Sequence, residues 1–187
     1  MKNKIISLLL NLFLFFIFTL QLNASEQAWN LAQEGNKIIL IRHSLAPGGG
    51  DPAGFKIDDC KTQRNLNKKG INQSKKIGKL FKKNNVIIDQ VLSSQWCRCK
   101  DTAKYAFGEY KEFTALNSTF QSPFDKNEGK QLKELYNYVK TWNGKGKNLV
   151  LITHYSIITA ITNAIPSSGE IVIANKNFKV LGTIQTD

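Results

Sequence analysis

The sequence predicts an α/β domain with a mostly parallel central sheet covered by helices on both faces, and three observations predict it. Short β-branched apolar runs, "KIILIR", "QVLSS" and "NLVLIT", alternate with longer segments of helical period, which is the pattern of strands joined by helical crossovers. Each run stops at polar or charged residues, as buried strands that end at a solvated edge do. A chain of 187 residues with 42% hydrophobic content supplies one real core.

The elements follow in order. Asn36–His43 is the first strand, a buried run ending at an Arg-His pair. The segment from Gly48–Gly50 to about Arg64 has no period and is broken by Pro47 and Pro52, so it reads as a loop. Asn67 is placed to cap a helix that ends near Asn84, with Ile71, Ile77, Leu80 and Phe81 on its apolar side. Asp89–Ser94 is a second buried strand, and Trp96–Gly108 a helix stopped by its glycine. Tyr110–Leu116 reads as a third strand, followed by a loop to about Glu128 and a helix over Lys130–Gly144. Lys147–His154 is a fourth strand feeding a short helix through Thr162, and "GEIVIA" and "FKVLGTIQT" form a closing hairpin. No repeat, low-complexity tract or linker interrupts this order.

Residues 1–24 read as a leader and residues 25–187 as the single domain. Lys2 and Lys4 precede an apolar stretch from Ile5 to Leu20, and Ala24 offers a small residue for a cut, the order of a secretory signal peptide. The competing reading is an uncleaved anchor, since the run is near the lower limit for spanning a bilayer. Cleavage leaves no stable membrane span, and places the folded part in the periplasm or outside the cell. In an oxidising compartment Cys60 is expected to bridge to Cys97 or Cys99, leaving one thiol over. Zinc is the weaker reading of the cysteines, because a closed structural site wants four ligands.

The formal charge is +12, and without Lys2 and Lys4 the mature chain keeps +10. Such an excess favours anionic partners. The lysines of "NKKGINQSKKIGKLFKKNN" spread around a helix as a solvated face. Nothing resembles a nucleic-acid motif or an aromatic-interleaved basic platform, so no nucleic acid is expected.

Ligands of open α/β sheets bind beyond the carboxyl ends of the strands. Arg42 and His43 end the first strand, Arg98 lies just past the second, and His154 ends the fourth. Taken singly, a strand-end histidine is more often a hydrogen-bonded structural residue, and Arg98 a surface charge. Independent accidents have no reason to put all four at one end of the sheet. Together, guanidinium forks grip phosphoryl oxygens and an imidazole serves as a nucleophile, with no metal and no cofactor required.

These residues carry a resemblance. "LIRHS", "LSSQWCRCKDTA" and "LITHYSIITAIT" look like the three signatures of the histidine phosphatase superfamily, of phosphoglycerate mutase-like fold, and "RNLNKKGINQSKKIG" resembles its Arg-x-Leu-x-x-x-Gly helix start. The resemblance implies a three-layer sandwich in which His43 is phosphorylated and then hydrolysed. It further implies that Arg42, Arg98 and His154 bind the phosphoryl group, with Ser44, Arg64 and Tyr155 expected at the substrate. Ser44, Tyr155 and Ser156 stand where glycines are common. The sequence departs from the pattern at the proton donor, where Asn117 replaces the usual glutamate; Asp125, Glu128, Asp58 and Asp59 are the candidate substitutes.

The expected activity is hydrolysis of a phosphomonoester, on a phosphorylated small molecule or a cell-surface glycan phosphate. The alternatives are a phosphohistidine (phosphoramidate) phosphatase, whose nitrogen leaving group needs no enzyme acid, a mutase, a non-catalytic phosphate-binding module on the same fold, and a basic envelope-surface protein.

Overall fold

The computed structural model describes residues 24–186. The expected leader, Ala24 excepted, lies outside the described residues. The remainder folds around one six-stranded sheet: β1 (Ile38–Arg42), β2 (Ile88–Ser93), β3 (Lys111–Glu112), β4 (Asn148–Thr153), β5 (Ile171–Ala174) and β6 (Val180–Ile184), in the spatial order β3-β2-β4-β1-β5-β6. The first four pair in parallel, and the hairpin β5–β6 adds two antiparallel pairings, the first of them to β1. The expectation of a mostly parallel sheet holds, since four of the six strands pair in parallel and these carry the site.

Among the described residues five helices cover the two faces: α1 (residues 24–33), α2 (Lys68–Lys83), α3 (Cys97–Phe107), α4 (Glu128–Thr141) and α5 (Tyr155–Thr162). Alternation within the strands assigns them. Ile39, Ile41, Val150 and Ile152 point to one face, where they bury Ala28 and Trp29 of α1, Ile77 and Phe81 of α2 and Ala103 of α3. Ile38, Leu40, Leu149 and Leu151 point to the other, against Leu135 and Val139 of α4 and Ile157, Ile158 and Ile161 of α5. Because side chains alternate across a strand, one uninterrupted apolar run feeds both cores, and each fully buried Ile or Leu stabilises the fold by roughly 1.5–3 kcal/mol.

The expected elements are present, with three differences of physical origin. The third strand is only two residues long, because the chain turns into a 3-10 segment, Thr114–Leu116, that buries Ala115 and Leu116 in succession. Thr153 Oγ1 and Gln131 Nε2 take up the carbonyls of Leu116 and Asn117. The fourth helix begins at Glu128 rather than Lys130. It stops at Thr141, since Trp142 turns extended to bury its ring and donate its indole N–H to Asp89 Oδ2 at 2.9 Å. Helix α1 is not signalled by the sequence, where the residues that begin it look like the end of a leader.

Candidate active site

Strand register brings the two histidines together. β1 and β4 are parallel with Arg42 opposite Thr153, so the next residue of each strand is a histidine. Backbone bonding continues one step further, His43 N–H donating to the Thr153 carbonyl at 2.9 Å. The rings lie 5.4 Å apart between centroids. Beside them β2 ends at Ser93, and the next residue, Ser94, places its Oγ 2.8 Å from Nε2 of His154.

His43 is 3% exposed, with Nδ1 at 2.9 Å from the carbonyl oxygen of Ser44. A carbonyl only accepts, so Nδ1 carries the proton and Nε2 keeps the lone pair. Burial, then the Arg98 guanidinium, holds His43 well below the usual 6.5, and the same causes in the same order act on His154. Both imidazoles are therefore neutral at pH 7.

Three arginines surround the pair. Arg98 stands in the first turn of α3, whose amides have no cap from the residue before the helix; Gln63 Oε1 accepts from Cys97 N–H at 3.0 Å and Ser94 Oγ from Trp96 N–H at 3.2 Å. Arg42 donates from Nη1 to the Pro166 carbonyl at 2.9 Å. Arg64 reaches back from the first loop, donating to the carbonyls of Gly50 at 2.7 Å and of Ala46. Burial and the neighbouring Arg98 lower the Arg42 and Arg64 guanidinium pKa values. Nε of Arg42 and Nε of Arg98 are buried without a protein partner, a state that costs about 1–3 kcal/mol or more for a charged donor.

All five groups line a single cavity of about 110 Å³ at the carboxyl end of the sheet. Its walls include the Gly48–Gly50 backbone and the start of α5, whose N-terminal dipole favours negative charge. Larger clefts exist elsewhere, the most apolar between α2 and the chain's end, but none gathers these side chains. Among the described residues no group of three or more His, Cys, Asp or Glu side chains is placed to hold a metal ion.

The structure thus collects Arg42, His43, Arg64, Arg98, His154 and Tyr155 from the expected set. Ser44 is placed differently: its side chain is fully buried and bonded to Ser74 Oγ at 2.8 Å, so it serves the site only through the carbonyl that holds His43. None of the four candidate proton donors lines the cavity. Asp59 caps a 3-10 turn by accepting from Lys61 N–H, Glu128 accepts from Thr119 Oγ1 at 3.0 Å, and Asp58 and Asp125 are exposed. Asn117 accepts from Gln95 N–H and donates to Gln95 Oε1, tying down the β2–α3 turn.

Three features had no signal in a single sequence. Asp51, whose side chain is 2% exposed, meets Arg98 Nη1 at 2.9 and 3.0 Å. Phe55, Trp96 and Phe124 pack centroid to centroid at 5.0–5.8 Å and carry the two loops onto the His154 ring, which lies 5.4 Å from Trp96. Phe120 stands 62% exposed at the cavity wall. The disulfide, by contrast, is one of the two pairings the sequence allowed: Cys60 bridges to Cys97, one residue from Arg98, and Cys99 is the buried free thiol.

No protein-family model matches the chain, and no curated protein matches it by sequence. Solved structures do share its fold. The protein histidine phosphatase SixA complexed with tungstate superimposes with a TM-score of 0.55 at 13% identity, covering 80% of this chain and 97% of that one. Phosphoglycerate mutase from Thermus thermophilus gives 0.55 at 14% identity over 81% of this chain and 99% of its own. A candidate alpha-ribazole-5'-P phosphatase from Escherichia coli gives 0.56 at 13% identity over 81% and 97%.

Proposed function

We propose, from the histidine phosphatase fold that the chain shares with these structures, that it is a phosphatase working through a phosphohistidine on His43. One observation carries this reading: a buried neutral imidazole, fixed by Ser44 so that Nε2 is its open position, stands in a cavity with three arginines. Nε2 attacks phosphorus, the bond to the leaving group breaks, and water then takes the phosphoryl group to orthophosphate. Arg42, Arg64 and Arg98 hold the phosphoryl oxygens as charge shifts onto them, with His154 beside them. The positive charge that a metal ion often supplies comes here from guanidinium groups.

A cavity of about 110 Å³ holds a phosphoryl group and leaves the rest of the substrate outside, against the exposed Phe120 and Tyr155. The first reading is a phosphomonoesterase. A second, phosphoramidate hydrolysis, is favoured by the absence of any carboxylate from the cavity lining, since an alkoxide needs the general-acid help, typically ~10²–10⁴-fold, that a phosphoramidate nitrogen obtains from solvent. The disulfide and the leader pattern support an exported protein. No helix among the described residues is long and apolar enough to cross a membrane.

A leaving-group series tests both readings. Aryl phosphates and phosphoramidates are expected to turn over far faster than sugar phosphates, and labelled substrate, quenched without acid, to leave label on the wild type and none on His43→Ala. Label retained by that variant ends the mechanism. Sugar phosphates turned over as fast as aryl phosphates end the case for a missing acid.

A further inference from the structure

We infer that Asp51 is a positioning residue, which fixes the Arg98 guanidinium from behind so that its remaining N–H edge is preorganised for the phosphoryl group. The inference rests on the phosphatase reading only for the role of Arg98. Asp51 follows the three glycines of the first loop, and its carboxylate is 2% exposed. Every partner it has is an N–H donor: Arg98 Nη1 at 2.9 and 3.0 Å, Trp96 Nε1 at 3.0 Å and the Arg64 backbone at 3.1 Å. Its own amide donates to Gln121 Oε1 at 2.9 Å, from the loop on the far side of the site. The carboxylate is thus held from two segments, the end of the first loop through the Arg64 amide and the start of α3 through Trp96 and Arg98, and of these Arg98 is the one it meets in an ion pair.

Placement separates this role from substrate contact. Arg98 lines the cavity and Asp51 does not. With Nη1 committed to Asp51, Arg98 is left with a buried Nε that has no protein partner. A long flexible side chain is thereby fixed before the ligand arrives, which strengthens binding by removing the ordering cost. The carboxylate also offsets part of the repulsion among Arg42, Arg64 and Arg98, which otherwise opposes their assembly in the absence of an anion. Since all its partners donate, Asp51 acts as an acceptor, a part in which it contributes geometry and charge and no proton.

The test uses the whole protein, two readouts and a double-mutant cycle. Turnover of p-nitrophenyl phosphate and calorimetric affinity for orthophosphate are measured on wild type, Asp51→Asn, Asp51→Glu, Arg98→Ala and the Asp51→Asn/Arg98→Ala double variant. Asp51→Asn is isosteric and is expected to lose at least about tenfold in kcat/KM and in phosphate affinity, the size expected for a charge-assisted bond. Asp51→Glu should recover part of both. The double variant should match Arg98→Ala within about twofold, because a residue acting through Arg98 has nothing left to act on. Losses that add in the double variant, or Asp51→Asn at wild-type values, overturn the inference. If Asp51→Asn does not fold, Asp51→Glu paired with Arg98→Ala gives the same cycle and decides the question in the same way. A wild type that binds orthophosphate but turns over neither phosphate ester nor phosphoramidate refutes the phosphatase reading, and the affinity cycle still decides Asp51.

Discussion

On the proposed mechanism His43 attacks as a neutral ring, and burial with a facing arginine is what keeps that ring from protonating. The same environment makes stability depend on pH. In the unfolded chain both histidines take up protons as the pH falls through about 6.5, whereas in the folded chain they resist until well below that value. The unfolded state then binds more protons, so stability is lost as pH falls from about 6.5, with a limiting slope of about 1.4 kcal/mol per pH unit for each histidine. Urea unfolding at pH 7, 6 and 5 should show this decline for wild type and a shallower one for the His43→Gln/His154→Gln variant. Equal slopes for the two proteins would contradict it. At this scale the sequence was informative where a residue ends a strand: Arg42, His43 and His154 could be read because the strand dictates where they go. Asp51 could not, since the loop that carries it has no period and its partners lie 13 to 70 positions away. Ser44 shows the opposite error, a residue next to His43 whose side chain the strand sends into the core.

Helix α3 carries Arg98, and its seat depends on a close crossing with α2. Gly78 of α2 lies so near the α3 backbone that a Cβ there would come within 2.1 Å of the Ala106 carbonyl oxygen. Gly78→Ala therefore forces the helices apart, at roughly 1–3 kcal/mol for an overpacked contact, which corresponds to about 2–10 °C in Tm for a domain of this size. A calorimetric scan that leaves Tm unchanged would show that α3 is free to shift. Helices α2 to α5 and the five longer strands were legible because each is a periodic or continuous apolar segment with its own boundary signal, such as Asn67, whose side chain accepts from Gly70 N–H at the start of α2. β3 was overextended because its residues suit a strand locally, while burial of Ala115 and Leu116 under α4 decides the matter from a distance.

Taken whole, the molecule is a cation with its most buried positive charges at the mouth of one cavity. Such a field raises the encounter rate of a dianionic substrate and is screened by salt. Raising ionic strength from about 20 to about 300 mM should lower kcat/KM for p-nitrophenyl phosphate roughly three- to tenfold while kcat changes little. A loss confined to kcat would instead point to the chemical step. The excess of positive charge was legible from composition, but the clustering of Arg42, Arg64 and Arg98 at one cavity was not, because lysines outnumber these arginines and spread over the helices. The ring pair at the sheet's edge has a practical side as well. The chain has two histidines, and they stand against each other in the cavity. In a proton NMR spectrum every imidazole resonance therefore reports on that spot, with no background from the rest of the chain. Occupancy by an anion, tautomer and phosphorylation could each be followed in the unmodified protein.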